Sequence, residues 1–187
     1  MLKRIFDFFM SALLLLFFSP VLVGCALVVR LTSRGPVIFK SRRVGRGGVL
    51  FTMLKFRTMR EDAPQLATHL VVNPEVFISP IGGLLRGTSL DELPQLWNVL
   101  RGEMSLVGPR PALFNQDDLV ALRRQSGVDA LRPGITGWAQ VRGRDALSTK
   151  EKEVLDKYYL ENRSFLFDLK ILMLTILKVL KSEGIKH

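Results

Sequence analysis

An apolar run near the N-terminus constrains this chain more than any other feature. It extends from Phe8 to Val29, long enough as one straight helix to cross a hydrocarbon core of roughly 30 Å. Ser19 and Pro20 interrupt the run near its middle, and Pro20 lacks a backbone donor, so a helix must bend or break there. The Ser19 hydroxyl can bond to a backbone group that the break releases. We therefore predict a helix–break–helix.

Basic residues flank this run on both sides. Lys3 and Arg4 precede it, and five more follow it: Arg30, Arg34, Lys40, Arg42 and Arg43. Because basic flanks favour the cytoplasmic side of a membrane, we predict that residues 1–30 form a re-entrant hairpin and residues 31–187 a cytoplasmic catalytic domain. A single spanning helix is one alternative. A lipoprotein signal peptide ending at Cys25 is another, although the apolar run continues past Cys25.

The composition narrows the choice of partners. The 187 residues carry a net charge of +10, which favours anionic partners such as phosphates, nucleic acid or an acidic membrane surface. The hydrophobic content of 48% is high for so basic a chain and indicates a membrane. A single cysteine excludes an intrachain disulfide and favours a reducing compartment. The two histidines are far apart in the sequence, which does not suggest a zinc site.

The remaining patterns predict an α+β fold that is mainly helical. Apolar runs on both sides of the glycine-rich turn 44–48 predict a small β-hairpin. Charged, helical patterns cover residues 115–126 and 150–162. The segment 165–181 is strongly apolar with interspersed lysines, which is typical of an interfacial amphipathic helix or a core helix. Residues 60–80 are polar and rich in proline, and we predict an irregular segment there.

Two adjacent carboxylates, Asp91 and Glu92, are the strongest candidates for chemistry. Ser89 and Glu92 have the spacing of a capping box, which would place both carboxylates in the first turn of a helix. The helix dipole would help to keep them ionised there, as a nucleophile toward phosphorus requires. Capping is the commoner role of such a pair. Pro94 in the next turn, and a rigid Gly-Pro-Arg-Pro turn that presents Arg110, favour a functional site.

Further cations lie in two other segments. Lys55 and Arg57 would lie on one face of a strand, either exposed to solvent or directed at a pyrophosphate. Three arginines, which suit an anionic ligand, alternate with glycine and proline in a predicted loop: Arg132, Arg142 and Arg144. Trp138, in the same loop, would pack beneath it or stack on a base.

Four motifs, in this order and spacing, resemble the bacterial sugar transferase family. They are KFRTM at 55–59, TSLDELPQLWN at 88–98, MSLVGPRP at 104–111 and RPGITGWAQVRGR at 132–144. The resemblance covers essentially the whole chain and is to the small monotopic phosphoglycosyl transferases. It implies transfer of a phosphosugar from a UDP-sugar to undecaprenyl (polyprenyl) phosphate, with release of UMP. This is the first membrane step of bacterial glycoconjugate synthesis.

The resemblance also implies residue roles. Asp91 matches the nucleophile that forms an aspartyl-phosphosugar intermediate, and Glu92 matches the second member of the dyad. Mg²⁺ is the implied cofactor, with Asp91 as its direct ligand. Four cations match positions around the phosphates and the UDP-sugar: Lys55, Arg86, Arg110 and Arg144. Arg142 departs from the family, where close relatives often carry a neutral polar residue.

The implied setting is the cytoplasmic face of the bacterial inner membrane, with membrane lipids as further partners. Three other functions are alternatives: a nucleic-acid binder, a lipoprotein or membrane adaptor, and a glycosyltransferase that releases UDP. Nucleic acid is not expected, because the arginines are scattered among glycine and proline rather than along one helix. The sequence does not name the sugar, and it leaves the oligomeric state open, with a homodimer as one alternative.

Overall fold

The computed structural model describes residues 2–60, 63, 74–143 and 146–180, and it is mainly helical with two small sheets. Within these residues the helices are α1 Leu2–Phe17, α2 Ser19–Thr32, α3 Gly82–Gly87, α4 Gln95–Arg101, α5 Asp117–Gln125, α6 Trp138–Arg142, α7 Thr149–Asn162 and α8 Phe165–Leu180. The strands are β1 Ile38–Val44, β2 Leu50–Phe56, β3 Ser105–Val107 and β4 Gly134–Thr136. The predicted α+β class is confirmed.

The predicted break in the N-terminal helix is confirmed. The axes of α1 and α2 differ by 62°. Pro20 lies at the start of α2, where a backbone N–H has no partner within the helix, so proline is tolerated there. The Ser19 hydroxyl donates to the Leu16 carbonyl at 2.7 Å. No single helix in the described part of the chain is long and apolar enough to cross a membrane, whereas the bent pair taken together meets that criterion.

One face of α1 is polar and packs against the rest of the protein. Arg4 donates to the Val99 carbonyl at 2.5 Å and to the Leu100 carbonyl at 2.9 Å, at the C-terminal end of α4. The buried Asp7 carboxylate accepts a hydrogen bond from the Ser105 hydroxyl at 2.8 Å. These bonds join α1 to the same structural unit as β3 and α4.

The other face of α1 is apolar and exposed. Phe9, Leu13 and Leu16 expose 67%, 59% and 75% of their surface, which is far more than a soluble core helix would show. The α8 helix has a similar division, because Ile171 is fully buried while Leu166 is 77% exposed. Both helices therefore present apolar surface outward. For α8 this fits the predicted interfacial helix, of which residue 181 lies outside the described residues.

The predicted hairpin is confirmed as an antiparallel pair in which Ile38 faces Phe56 and Val44 faces Leu50. Gly47 and Gly48 have φ angles of 65° and 80°, which glycine adopts at little cost. The helices predicted over 115–126 and 150–162 correspond to α5 and α7. Most of the predicted irregular segment 60–80 lies outside the described residues.

The stretch 132–144 contains more regular structure than a loop, so that prediction was wrong. Strand β4 pairs in parallel with β3, and α6 follows directly. Parallel strands as short as these have no alternating pattern from which to recognise them. Close backbone approach makes glycine necessary, since a Cβ on Gly134 would lie 2.1 Å from the Gly108 amide nitrogen.

Candidate active site

Asp91 and Glu92 lie in a 3₁₀ turn, Leu90–Glu92, that precedes α4 rather than in the first turn of a helix. The predicted capping box was wrong. Ser89 has a left-handed backbone (φ 58°), its side chain makes no capping bond, and its carbonyl oxygen accepts from the Glu92 amide at 3.1 Å. This conformation costs a residue with a side chain about 1–2 kcal/mol. The resulting turn buries both carboxylates, which are 6% and 9% exposed.

Two cations from distant parts of the chain meet Glu92. Lys55, near the end of β2, places its Nζ 2.7 Å from Glu92 Oε1 and 3.8 Å from Asp91 Oδ2. Arg110, from the turn after β3, places an Nη atom 2.9 Å from the same Glu92 oxygen. The structure therefore brings together four of the predicted residues: Lys55, Asp91, Glu92 and Arg110.

Burial dominates the electrostatics of this group. It raises the pKa of Asp91, against the opposing effect of Lys55, and the negative charge of Glu92 raises it further. Burial also lowers the pKa of Lys55, although Glu92 counteracts it. Arg43 is a further, partly buried cation, and desolvation together with Arg110 lowers its pKa to about 10. A buried site with this excess of positive charge suits an anionic ligand.

The backbone that carries Arg110 is held by side chains that the sequence did not single out. Arg123 on α5 donates to the Arg110 carbonyl at 2.8 Å, and Arg43 donates to the Pro111 carbonyl at 3.2 Å. Arg123 is itself held by the buried Asp156 on α7, with Nε 3.0 Å from Oδ2. The available signal was weak, because a charged residue on a helix is ordinarily assigned to the solvent face.

The other predicted cations take up different positions. Arg57 is buried, and its guanidinium donates to the carbonyl and hydroxyl oxygens of Ser33 at 3.0 and 2.8 Å, after the end of α2. Arg86 on α3 interacts electrostatically with Asp91 and lies 3.4 Å from the Met59 sulfur.

Arg132 and Arg142 make their contacts elsewhere in the protein. Arg132 donates to the Gly102 carbonyl at 3.0 Å. The exposed Arg142 lies 4.3 Å from the centre of the Trp138 ring, a cation–π contact. Trp138 is buried against α7 and α8, as the packing alternative for it predicted. Arg144 lies outside the described residues.

A groove of about 320 Å³ lies beside the carboxylates, and we name it the α1–α8 groove. Glu92 and Arg110 contribute to its wall. The rest is mostly apolar and comes largely from α1, α8 and the segments between them: Leu14, Phe18, Leu106, Leu172, Ile176 and Val179. A strongly polar site and a hydrocarbon-lined space are therefore continuous.

The described residues contain no group of three or more histidine, cysteine, aspartate and glutamate side chains that could enclose a metal ion. The Asp91–Glu92 pair offers carboxylate oxygens, the ligand type that Mg²⁺ prefers. Mg²⁺ commonly binds through one or two protein carboxylates and completes its coordination with substrate phosphates and water. The donor set thus fits a substrate-bridged Mg²⁺ and not an ion held by protein alone.

Known proteins are similar to this chain over nearly its whole length. The profile of the bacterial sugar transferase family matches residues 1–182. The chain is 46% identical to the uncharacterized sugar transferase EpsL of Bacillus subtilis, across 100% of this chain and 91% of that protein. It is 41% identical to a UDP-glucose:undecaprenyl-phosphate glucose-1-phosphate transferase of Caulobacter vibrioides, across 97% and 71%.

A third relative is named for a different sugar. It is the UDP-N-acetylgalactosamine-undecaprenyl-phosphate N-acetylgalactosaminephosphotransferase of Aeromonas hydrophila, 35% identical across 98% of this chain and 44% of that protein. Relatives at similar identity thus differ in the donor sugar. The match over nearly the whole sequence shows that the chain belongs to the bacterial sugar transferase family.

Proposed function

We propose that this protein transfers a sugar phosphate from a UDP-sugar to undecaprenyl phosphate, releasing UMP, through a covalent intermediate on Asp91. The observation that carries the proposal is the buried Asp91–Glu92 pair with Lys55 and Arg110 against it. The names of the relatives support both substrates, since they pair a UDP-sugar with undecaprenyl phosphate.

The reaction has two displacements at one phosphorus atom. An Asp91 carboxylate oxygen attacks the β-phosphorus of the donor, the bond from that phosphorus to the α–β bridging oxygen breaks, and UMP leaves with that oxygen. An oxygen of the dianionic lipid phosphate then attacks the same phosphorus. The bond to Asp91 breaks, the carboxylate is regenerated, and the sugar remains on a lipid diphosphate. Neither step requires a proton transfer when both attacking oxygens are ionised.

The surrounding residues fit distinct roles in this scheme. Glu92 holds Lys55 and Arg110 beside Asp91 through the ion pairs described above, and so orients the cations that bind phosphoryl oxygens. Arg86, through its electrostatic interaction with Asp91, adds positive charge on the α3 side. Candidates for contacts with the donor are Arg132, Arg142 and Arg144, whereas Arg57 has a packing role through its bonds to Ser33.

Asp91 would hold Mg²⁺ together with donor phosphates, and the ion would supply positive charge where the phosphoryl group is transferred. Lys55 and Arg110 provide further positive charge from the protein itself. Their partial burial strengthens the interaction with phosphate, because fewer water molecules compete for it.

The proposed setting is the cytoplasmic face of the bacterial inner membrane, with α1 and α2 as a re-entrant hairpin. The exposed apolar faces of α1 and α8 and the basic flanks of the hairpin support this placement. A lipid acceptor with its phosphate at the interface would then meet the carboxylates without leaving the membrane.

The test is nucleotide release by the full chain in nanodiscs with Mg²⁺. UDP-sugars are supplied one at a time, first without acceptor and then with undecaprenyl phosphate. We expect one equivalent of UMP or less without acceptor, continuous UMP release with it, and loss of both in Asp91→Asn. Asp117→Asn, an exposed carboxylate at the start of α5, is the matched control and should behave as wild type.

Other outcomes would contradict the proposal in different ways. Release of UDP instead of UMP would indicate transfer of the sugar alone. UMP release that requires acceptor from the first turnover, with no phosphosugar on the protein by intact mass, would replace the covalent mechanism by direct transfer.

A further inference from the structure

The α1–α8 groove has a charged part and an apolar part, and a wholly polar substrate would contact only the first. Glu92 and Arg110 of the proposed active site share its wall with apolar side chains such as Leu14, Leu172 and Ile176. A nucleotide sugar is polar along its whole length and would leave this apolar surface unused. A molecule with one anionic group and a hydrocarbon chain would use both parts of the wall.

A second observation indicates a ligand in the same groove. Gln140 lines it, and within the described residues both the nitrogen and the oxygen of its side-chain amide are buried without a hydrogen-bond partner. A buried amide in this condition loses free energy that a bound ligand can restore. By contrast, the Thr136 and Thr175 hydroxyls on the same wall bond to each other at 2.7 Å.

We propose that the α1–α8 groove binds the phosphate end of the acceptor lipid, with its first isoprene units against α1 and α8 and the Gln140 amide donating to its phosphate. This rests on the function proposed above. The volume of about 320 Å³ is at the lower end for ligand pockets, so the groove holds only the first few units. The remaining chain stays in the bilayer, beside the exposed faces of the same two helices.

Two neighbouring residues of α8 provide a matched test. Ile176 lines the groove, whereas Leu177 does not, and both are substantially exposed at 60% and 48%. Ile176→Trp would fill the groove, and Leu177→Trp would add the same side chain outside it. The probes are undecaprenyl phosphate and farnesyl phosphate, which has only three isoprene units, both assayed with the full chain in detergent micelles.

We expect wild-type protein to use farnesyl phosphate, with little further gain in acceptor KM from a longer chain. Ile176→Trp should raise the KM for both acceptors by about tenfold, because it removes burial of part of one isoprene unit. The UMP released without acceptor should not change, and Leu177→Trp should match wild type. Equal effects of the two tryptophans, or a wild-type KM for undecaprenyl phosphate far below that for farnesyl phosphate, would overturn the proposal.

Gln140→Leu tests the polar part. It removes the amide nitrogen and oxygen at similar side-chain volume. We expect a several-fold higher KM for the acceptor with an unchanged KM for the UDP-sugar. A rise in the donor KM alone would assign Gln140 to the donor and overturn its place in the acceptor site. Failure of the proposed phosphosugar transfer is distinguishable, because wild-type protein would then release no UMP with any UDP-sugar, even with undecaprenyl phosphate present.

Discussion

The guanidinium of Arg123 donates a hydrogen bond to the backbone carbonyl of Arg110, 2.8 Å away, while its other nitrogens bind the buried carboxylate of Asp156. The position of a proposed phosphate-binding side chain thus depends on an ion pair between α5 and α7. Burial raises the pKa of Asp156 and Arg123 opposes that effect, so the carboxylate depends on this partner for its charge.

Breaking this pair from one side should destabilise the protein strongly. In Asp156→Asn the buried Arg123 loses its counter-charge, and we expect a loss of about 3–5 kcal/mol in the free energy of unfolding. Glu161→Gln, at an exposed position on the same helix, should change it by less than about 1 kcal/mol. Denaturant unfolding in detergent measures both. Similar stabilities for the two variants would contradict the structural role of the pair.

The Arg123→Met, Asp156→Leu double variant separates stability from positioning. Replacing both charges with apolar groups should recover much of the stability lost in Asp156→Asn. The Arg110 carbonyl would still lack its donor, so we expect the KM for the UDP-sugar to remain raised. A double variant with full recovery of both quantities would show that Arg123 does not position Arg110.

Activity should depend on the ionisation of Asp91. Burial raises the pKa of this carboxyl above the ordinary value of 3.8, so the rate of the first UMP release should rise with pH through a midpoint above that value. Removing the neighbouring negative charge in Glu92→Gln should shift the midpoint to lower pH. Removing the positive charge in Lys55→Gln should shift it to higher pH.

Pre-steady-state UMP release at UDP-sugar concentrations well below the KM, measured from acid to neutral pH, reports the ionisation of the free protein and checks these shifts. Shifts of the same sign in Glu92→Gln and Lys55→Gln would indicate that the observed titration belongs to another group. A midpoint that does not move in either variant would lead to the same conclusion.

Adding one methyl group at Gly108 should affect both stability and the active site. A Cβ there would lie 2.4 Å from the Arg132 carbonyl oxygen, and backbone cannot move aside as a flexible side chain does. We expect Gly108→Ala to destabilise the protein by about 1–3 kcal/mol and to raise the donor KM, because Arg110 is only two residues further on. Thermal or denaturant unfolding and steady-state kinetics measure the two effects.

Gly83→Ala is the control for that substitution. Gly83 lies within α3, and a Cβ there would meet nothing within 4 Å. Alanine should therefore stabilise the helix by roughly 0.5–1 kcal/mol without a kinetic effect. If Gly108→Ala proved equally harmless, the close contact between the two segments would be absent in solution.

The proposed re-entrant arrangement predicts that both ends of the α1–α2 pair face the cytoplasm. In a Cys25→Ser background, Leu2→Cys and Arg34→Cys lie at exposed positions on either side of the pair. Both should react with a membrane-impermeant maleimide from the same side as Lys157→Cys on the body. Labelling of residues 2 and 34 from opposite sides would show instead that the pair crosses the membrane.

The sequence predicted those parts of the structure that local chemistry determines. Ser19-Pro20 specified the break, the glycines at 47 and 48 specified the hairpin, and periodicity located α5, α7 and α8. These features depend on residues close together in the chain, whose conformational preferences act without the rest of the fold.

The contacts of the candidate site could not be predicted in the same way. Lys55 and Glu92 are 37 residues apart, and nothing in either segment indicates their pairing. The left-handed Ser89 replaced a capping box that its sequence suited well, because the surrounding packing dictates the turn. Arg57 is two residues from Lys55, a spacing that puts two side chains on the same face of a strand. It nevertheless follows the end of β2 and binds Ser33.

The bonds from Arg4 to the end of α4 have a consequence for how the protein tolerates different bilayers. A slide of α1 by one turn, about 5.4 Å, would withdraw Arg4 from the Val99 and Leu100 carbonyls and leave them without this donor. In the proposed membrane setting, α1 therefore cannot move up or down to match lipid thickness independently of the active site. The lipid must deform around the protein instead, and the height of the carboxylates above the hydrocarbon is a property of the fold.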